Sequence, residues 1–407
     1  MITQNTISST SWNNSRNQLQ AISGRYQNRL AANNPDLQVT VQTSTGSYTT
    51  PAMVSKVAGP SASIKIEDNL SGKIISSIQS VGKSGPTQAE IARQATVLGV
   101  LQGLIPLWDN PWLQSIWLTS EECLVPTISH ISPNYPLNLS QTKAVNHMLS
   151  ISSHDRISLI QGPPGTGKTS VIAAYVLNSI QAGRKGIWLV AQSNVAVKNI
   201  AEKLVKVGFT NWKLIVSADF HFGWHEHLYH EIARNIIRSD QFPKGNALFE
   251  KLKGCQVMLC TLSMLSNKRA QILGFFRAVP LINLVIDEAS QIEVGNYVSV
   301  FSNHNTIQKV CFIGDDKQLP PHGSEEIQVL ESIFEMDHLH SSALFLDTQY
   351  RMPPQIGDFI SKRVYNGQLF SNPEHPITST INSIHLVDIT DGSETASNTS
   401  YIVSIIS

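Results

Sequence analysis

The sequence predicts an α/β fold, a parallel sheet covered on both faces by helices and preceded by a small β and helical accessory region. Two observations carry this. From Leu139 onward, short and nearly continuous apolar runs alternate with helical patterns: Ile157–Ile160, Ile187–Ala191, Val257–Cys260, Leu281–Ile286, Val310–Ile313 and Ala343–Leu346. Unbroken apolar runs of this length fit strands buried on both faces, as crossover helices require. One run also leads directly into a glycine-rich turn, Gly162-Pro-Pro-Gly-Thr-Gly167-Lys168-Thr169, and then into the helical Ser170-Val-Ile-Ala-Ala-Tyr-Val-Leu.

Residues 1–50 are dominated by Ser, Thr, Asn and Gln and are poor core formers. Within them SRNQLQAISGRYQNRL reads as one helix, whereas Leu37–Val41 and, further on, Ala62–Ile66 alternate like half-buried strands of a small β module. Pro86, then Thr87 as N-cap with Glu90 three residues on, starts a helix whose apolar positions are Ile91, Leu98, Leu101 and Ile105. Trp108, Trp112 and Trp117 extend an amphipathic helical stretch; packing against the next domain is favoured over base stacking for them. The expected divisions are 1–85, a helical stalk over 86–136, the main α/β domain over 137–342 with a helical insert at about 210–255, and a further domain beginning at 343.

Composition narrows the function. The 407 residues suffice for two to three domains at ~150 residues each. Thirty Lys and Arg balance thirty Asp and Glu, so a nucleic acid could not be held by bulk charge and would need placed amides, hydroxyls and a few cations. Cys123, Cys255, Cys260 and Cys311 include no C-x-x-C pair, which indicates neither a disulfide framework nor a zinc ribbon. No apolar run approaches ~18 residues and the first fifteen residues lack a signal pattern, so no membrane partner is expected.

The glycine-rich turn matches G-x-x-x-x-G-K-[ST] in full, in the strand, loop and helix context that motif needs. Gly162, Gly165 and Gly167, with Thr166 between, let successive backbone N–H groups face a phosphate chain. Lys168 then reaches the β- and γ-phosphates and Thr169 Oγ1 a Mg²⁺ ion, which makes ATP and Mg²⁺ the expected cofactors. Leu281–Ile286 runs into Asp287-Glu288. Alone such a pair is more often a solvated turn; beside the loop, Asp287 is placed for the Mg²⁺ shell and Glu288 to polarise the attacking water.

Three more segments specify the kind of nucleotide site: Gly314-Asp-Asp-Lys-Gln318-Leu-Pro-Pro, Gln349-Tyr-Arg351-Met, and Leu137-Asn-Leu-Ser-Gln141. With Ala191-Gln-Ser193-Asn194-Val-Ala-Val and Cys260-Thr261-Leu-Ser263-Met-Leu, the sequence resembles the superfamily 1 helicases, specifically the Upf-like and senataxin-like group that moves 5′ to 3′. Seven motifs stand in that family's order over about residues 137–352. The resemblance implies a RecA-like first domain in which Gln141 reads the adenine edge, Gln318 senses the γ-phosphate and Arg351 brings a permanent charge to it. It further implies that Ser193, Asn194, Thr261 and Ser263 donate to phosphates of single-stranded RNA or DNA in the nucleus or cytoplasm, while helix capping and turn chemistry is the plainer account of these four.

Two segments depart from the family. His221, His225, His227 and His230 lie between two of the motifs; H-E-x-x-H fails at Tyr229, so a histidine-bearing helical face is expected before a zinc site. Val364–Leu369 resembles the family's next segment and Ile384–Ile389 a following strand, but the family's motifs V and VI have no counterpart, so the second RecA-like domain is expected to be cut short. The missing motifs favour one other reading, a catalytically silent nucleotide- or nucleic-acid-binding module, whereas an ATPase unrelated to nucleic acid is disfavoured by the Ala191–Val197 and Cys260–Leu265 motifs.

Overall fold

The computed structural model describes residues 2–5, 7–13, 18–23, 37–43, 46–58, 61–66, 68, 70, 72–81, 88–118, 136–152, 155–217, 232–321, 324, 330–377, 393–396 and 402–405. They fall into two compact units, one including the described part of 1–85 and the other formed by that of 86–217 and 227–385. Pro86, Thr87, the histidine segment 221–230 and the strand expected at 384–389 lie outside the described residues.

The first unit is an antiparallel sheet of seven strands: β1 (Ile2–Asn5), β2 (Ile7–Asn13), β3 (Gln18–Ser23), β4 (Leu37–Thr43), β5 (Gly46–Ala58), β6 (Ser61–Ile66) and β7 (Ile74–Val81), in the order β1-β7-β4-β5-β6-β3-β2. β1 and β2 are consecutive, one residue apart, yet occupy opposite edges, so the sheet must curl until its edges meet. Period-2 burial follows: Leu37, Val39 and Val41 of β4 and Ala62, Ile64 and Ile66 of β6 face the core, as their alternation predicts. The helix expected over SRNQLQAISGRYQNRL is corrected by β3, where Leu19 and Ala21 are buried and Gln20 donates to Ser63 Oγ at 2.8 Å. Tertiary pairing there overrides the modest helix propensity of Gln, Leu and Ala.

In the second unit, α1 (Gln88–Leu101) and α2 (Pro111–Trp117) precede the main sheet. The apolar residues expected inward on α1 point out: Leu98 is 55% and Leu101 80% exposed, while Ala89, Ala92 and Thr96 are buried. Small residues let α1 approach closely, and Arg93 pairs with Glu293 at 2.6 Å. The tryptophan stretch is not one helix. A 3₁₀ turn at Leu107–Asp109 precedes α2, which Asn110 caps and Pro111 opens. Trp112 is buried and stacks on Phe301 at 5.7 Å, while Trp108 stays exposed.

After α3 (Leu139–Leu149) come β8 (Ile157–Gln161), α4 (Lys168–Gln181), β9 (Ile187–Ala191), α5 (Asn194–Lys206), β10 (Trp212–Val216), β11 (Ile236–Arg238), β12 (Val257–Thr261), β13 (Asn283–Asp287), α6 (Asn296–Asn303), β14 (Lys309–Gly314), β15 (Leu344–Phe345) and α7 (Pro354–Val364). The eight strands are wholly parallel in the order β11-β10-β12-β9-β13-β14-β8-β15, an α/β RecA-like sheet with helical crossovers. Its core joins Trp188, Val190, Met258, Cys260, Leu284, Ile286, Val310 and Phe312. Within the helical insert expected at about 210–255, the described residues include two strands of this sheet, β10 and β11, together with a helix at Asn246–Lys251. Trp212, Leu214, Ile215 and Val216 are buried, so β10 is an internal strand. Among the described residues no helix is long and apolar enough to cross a membrane.

Candidate nucleotide and nucleic-acid site

Strand order builds the site. β13, β14 and β8 lie side by side and parallel, so their carboxyl ends deliver three turns to one edge: Asp287-Glu288 from β13, Gly314 to Gln318 from β14, and Gly162 to Lys168 from β8. The glycine loop is strapped to the middle turn, since Gly162 N donates to Gly314 O at 2.8 Å. Thr166 Oγ1 donates to Pro163 O at 2.7 Å and Lys168 Nζ to Gly162 O at 2.9 Å, which holds the lysine across the loop. Gly165 and Gly167 have φ of +79° and +82°, a region costly for other residues. A Cβ on Gly165 would also lie 2.6 Å from Arg351 Cβ, and one on Gly167 2.7 Å from Gln141 Nε2.

The two carboxylates differ. Asp287 is buried and accepts from Glu288 N at 3.0 Å. Burial, with the Glu288 charge beside it, pushes its pKa up to about 7, while Lys168 and the Glu288 N–H pull the other way. Glu288 takes a left-handed backbone at φ +53°, and its Oε2 is buried without a hydrogen-bond partner. A strained non-glycine residue bearing an unsatisfied buried oxygen is costly to the fold, which is how a position kept for a ligand looks. Among the described residues no group of three or more His, Cys, Asp or Glu could hold a metal ion. A hydroxyl at Thr169 and one carboxylate at Asp287, completed by phosphate oxygens and water, nevertheless fit Mg²⁺, which dehydrates reluctantly and does without an all-protein cage.

The structure also shows supports that the motifs do not advertise. Gln141 is 5% exposed and closes a capping box: Asn138 Oδ1 accepts from Gln141 N at 2.8 Å, and Gln141 Oε1 accepts from Asn138 N at 3.1 Å. Gln141 Nε2 donates to Thr166 O at 2.9 Å, so this side chain braces the loop, with one proton and one lone pair of its amide left over. Gln318 is exposed but tethered, donating through Nε2 to Asp315 Oδ2 at 2.7 Å. Tyr365 OH donates to the same oxygen at 2.6 Å, and Asp315 N donates to Ser290 Oγ at 3.2 Å. Asp315 and Tyr365 thus link the β14 turn to the end of α7. The carboxylate after a strand was a visible signal for Asp315, whereas Tyr365 lies in the family-like segment Val364–Leu369 with no sign there of its contact to Asp315.

Arg351 is positioned through its backbone. Buried Gln349 accepts from Arg351 N at 2.9 Å and Met352 N at 2.7 Å, and donates to Met352 O at 2.8 Å and Ser371 Oγ at 3.1 Å. Tyr350 N donates to Gly165 O at 2.9 Å, and Ser140 Oγ to Asp347 Oδ1 at 2.7 Å. The Arg351 side chain remains exposed beside the loop.

The four residues expected at nucleic acid sit at the carboxyl ends of β9 and β12, paired in register with Thr261 opposite Ala191. Ser193 Oγ accepts from Ala196 N at 3.1 Å and Thr261 Oγ1 from Met264 N at 3.2 Å, so both are helix N-caps. Asn194 and Ser263 occupy the first turns that follow, part-exposed. Capping uses an oxygen lone pair and leaves the hydroxyl proton to donate outward.

Comparison with known proteins agrees with this architecture. Residues 136–217 match the family model AAA_11 and residues 328–403 the family model AAA_12, each described as an AAA domain. The ATP-dependent helicase NAM7 of Saccharomyces cerevisiae is 29% identical over 58% of this chain and 26% of its own. The ATP-dependent helicase upf1 of Schizosaccharomyces pombe is 31% identical over 58% of this chain and 28% of its own. The mouse DNA-binding protein SMUBP-2 is 26% identical over 59% of this chain and 28% of its own. The alignments span only about a quarter of the length of these relatives. With glycine loop, acidic pair and arginine strap carried on a parallel sheet, the chain is similar, over the matched residues, to the ATP-dependent helicases of the Upf-like group.

Proposed function

We propose that this chain binds ATP with Mg²⁺ in the loop after β8 and couples its hydrolysis to 5′-to-3′ movement along single-stranded RNA or DNA, in the nucleus or cytoplasm. The observation that carries the reading is the convergence on one sheet edge of the Lys168 loop and the Asp287–Glu288 pair, with Glu288 Oε2 buried and unpartnered. Lys168 exchanges its contact with Gly162 O for the β- and γ-phosphate oxygens. Thr169 Oγ1 and Asp287 hold Mg²⁺, which when bound offsets phosphate charge. Glu288, already desolvated, accepts the proton of the attacking water through Oε2. Gln318 contacts the γ-phosphate from its Asp315 tether, and Arg351 supplies charge as the transition state develops. Gln141 offers its remaining amide proton and lone pair to adenine. Ser193, Asn194, Thr261 and Ser263 grip successive phosphates of one strand, a neutral mode that suits a chain of zero net charge and reads little sequence.

Titration with a fluorescent ATP analogue tests the loop. Lys168→Ala should weaken binding by about ten- to a hundred-fold, the loss of one charge-assisted phosphate contact. Equal affinities would refute the assignment. Duplexes tailed at either end test direction: separation of the 3′-tailed substrate alone would reverse the polarity, and ATP binding that no nucleic acid stimulates to turnover would favour the silent module.

A further inference from the structure

We propose a second anion site, for a small phosphate ion of several charges, in the cavity at the amino ends of the same strands, where Arg156, Arg184, Lys185 and Lys309 converge. The cavity measures about 600 Å³, a size typical of small-molecule sites, and no aspartate or glutamate is among the described residues lining it. Arg156 immediately precedes β8, Lys185 lies two residues before β9, and Lys309 opens β14; Asn283, the first residue of β13, completes the row with Gln308. Strands of five residues separate this end of the sheet from the glycine loop by roughly 17 Å, so one small ion cannot serve both places.

The cations are held in place but not neutralised. Arg184 Nη2 donates to Leu149 O, and Lys309 Nζ donates to His147 O at 2.9 Å and to Asp155 O. The Arg156 guanidinium lies 4.5 Å from the Trp112 ring centroid, which occupies its face and leaves its N–H edge. Carbonyl and ring contacts fix geometry without removing charge, and none of the four cations has an ion-pair partner among the described residues. Asp155 offsets Lys309 only in part, since its carboxylate accepts from Ser150 Oγ and faces His147 Nε2 at 3.4 Å. Burial accordingly lowers the pKa of Lys309, the mark of a cation short of compensation. Clustered like charges in a concave wall repel one another until an anion enters, and two guanidinium groups with two ammonium groups match the many oxygens of a condensed phosphate better than one carboxylate.

Tripolyphosphate is the probe, titrated by calorimetry into the full chain carrying Lys168→Ala so that the glycine loop does not compete. Saturable binding of one ion per chain is expected. Adding Lys185→Glu should weaken it at least ten-fold, and Arg184→Gln should do likewise, while Lys206→Glu, an equal charge change on α5, should leave it within two-fold. Should Arg184→Gln fail to fold through loss of its contact to Leu149, the Lys185 variant decides, because no hydrogen bond of that side chain is described. Absence of saturable binding in the Lys168→Ala chain, or equal weakening by Lys185→Glu and Lys206→Glu, would overturn the site.

Discussion

Asp287→Asn should stabilise the nucleotide-free protein, and by more at pH 8 than at pH 5. The Asp287 carboxyl is 5% exposed, and burial beside Glu288 raises its pKa from 3.8 to about 7. A folded-state pKa above the unfolded value means that the fold binds this proton more tightly. Its contribution to stability is therefore full below about pH 3.8 and lost as pH rises through about 7. With those two values the protonated carboxyl favours the fold at pH 5 by RT ln of about 95, or ~2.7 kcal/mol, and at pH 8 by only ~0.1 kcal/mol. Asparagine keeps the shape and never ionises. The stability of Asp287→Asn relative to wild type should then grow by about 2.6 kcal/mol between pH 5 and pH 8. Urea unfolding of both proteins at each pH measures this, followed by tryptophan fluorescence, to which the fully buried Trp188 and Trp212 contribute. Titrating groups remote from Asp287 cancel in the difference, leaving Glu288 and Lys168 as the ones coupled to it. The same gap at both pH values would refute the account of Asp287 as a charge the fold tolerates for its ligand.

Gly165→Ala forces a side chain into left-handed backbone at φ +79° and against Arg351 Cβ, so it should cost about 1–3 kcal/mol and weaken ATP binding together, read by thermal unfolding and analogue titration. Ser193→Ala should lose about 1 kcal/mol with its cap, whereas Ser193→Asp should keep the cap yet weaken single-strand binding through charge; anisotropy with a labelled oligonucleotide separates the two, and unchanged binding by the aspartate variant would remove Ser193 from the interface. His304 is buried against Phe276 at 4.4 Å with its pKa lowered by burial to about 4. A depressed histidine contributes stability above about pH 6.5 that is lost as pH falls through about 4, roughly 3 kcal/mol in all, so His304→Leu should move the acid-unfolding midpoint to lower pH.

The main sheet was legible because its strands are buried on both faces. β9 occupies the residues its apolar run predicts, and β8 and β12 differ from theirs by one residue at the carboxyl end. The glycine loop was legible for a different reason, since phosphate-binding geometry tolerates few residue types. β10 escaped because Trp-Lys-Leu-Ile-Val carries a lysine and stands close to a histidine-rich stretch, although neighbouring strands bury four of its five residues. β3 escaped because Gln, Leu and Ala suit a helix, and only cross-strand partners such as Ser63 and Ile64 decide otherwise. At the site, the motifs contain the side chains that meet a ligand and also some that position them, such as Gln349 and Asp315, but the partners of the positioning residues are not written there. Gln349 and Tyr365 make their contacts across 22 and 50 residues, and no local pattern encodes such separations.

That division bears on how Arg351 can act. β15 pairs with β8, Leu346 N donates to Gln161 O at 2.9 Å, and Tyr350 N donates to Gly165 O at 2.9 Å, so the segment leading to Arg351 is laid along the loop strand and over the loop. Both oxygen lone pairs of Gln349 are spent on Arg351 N and Met352 N, which fixes the turn on which the arginine stands. The remaining freedom is that of one exposed side chain, with rotamer entropy worth about 2 kcal/mol. A charge on a fixed backbone beside the phosphates needs little reorganisation when the transition state forms, which is where electrostatic catalysis gains most. Gln349 therefore holds the arginine through its backbone N–H and leaves the guanidinium free in the cleft, whereas Asp315 holds Gln318 by the amide Nε2 itself and leaves the amide oxygen and one N–H to face the phosphate.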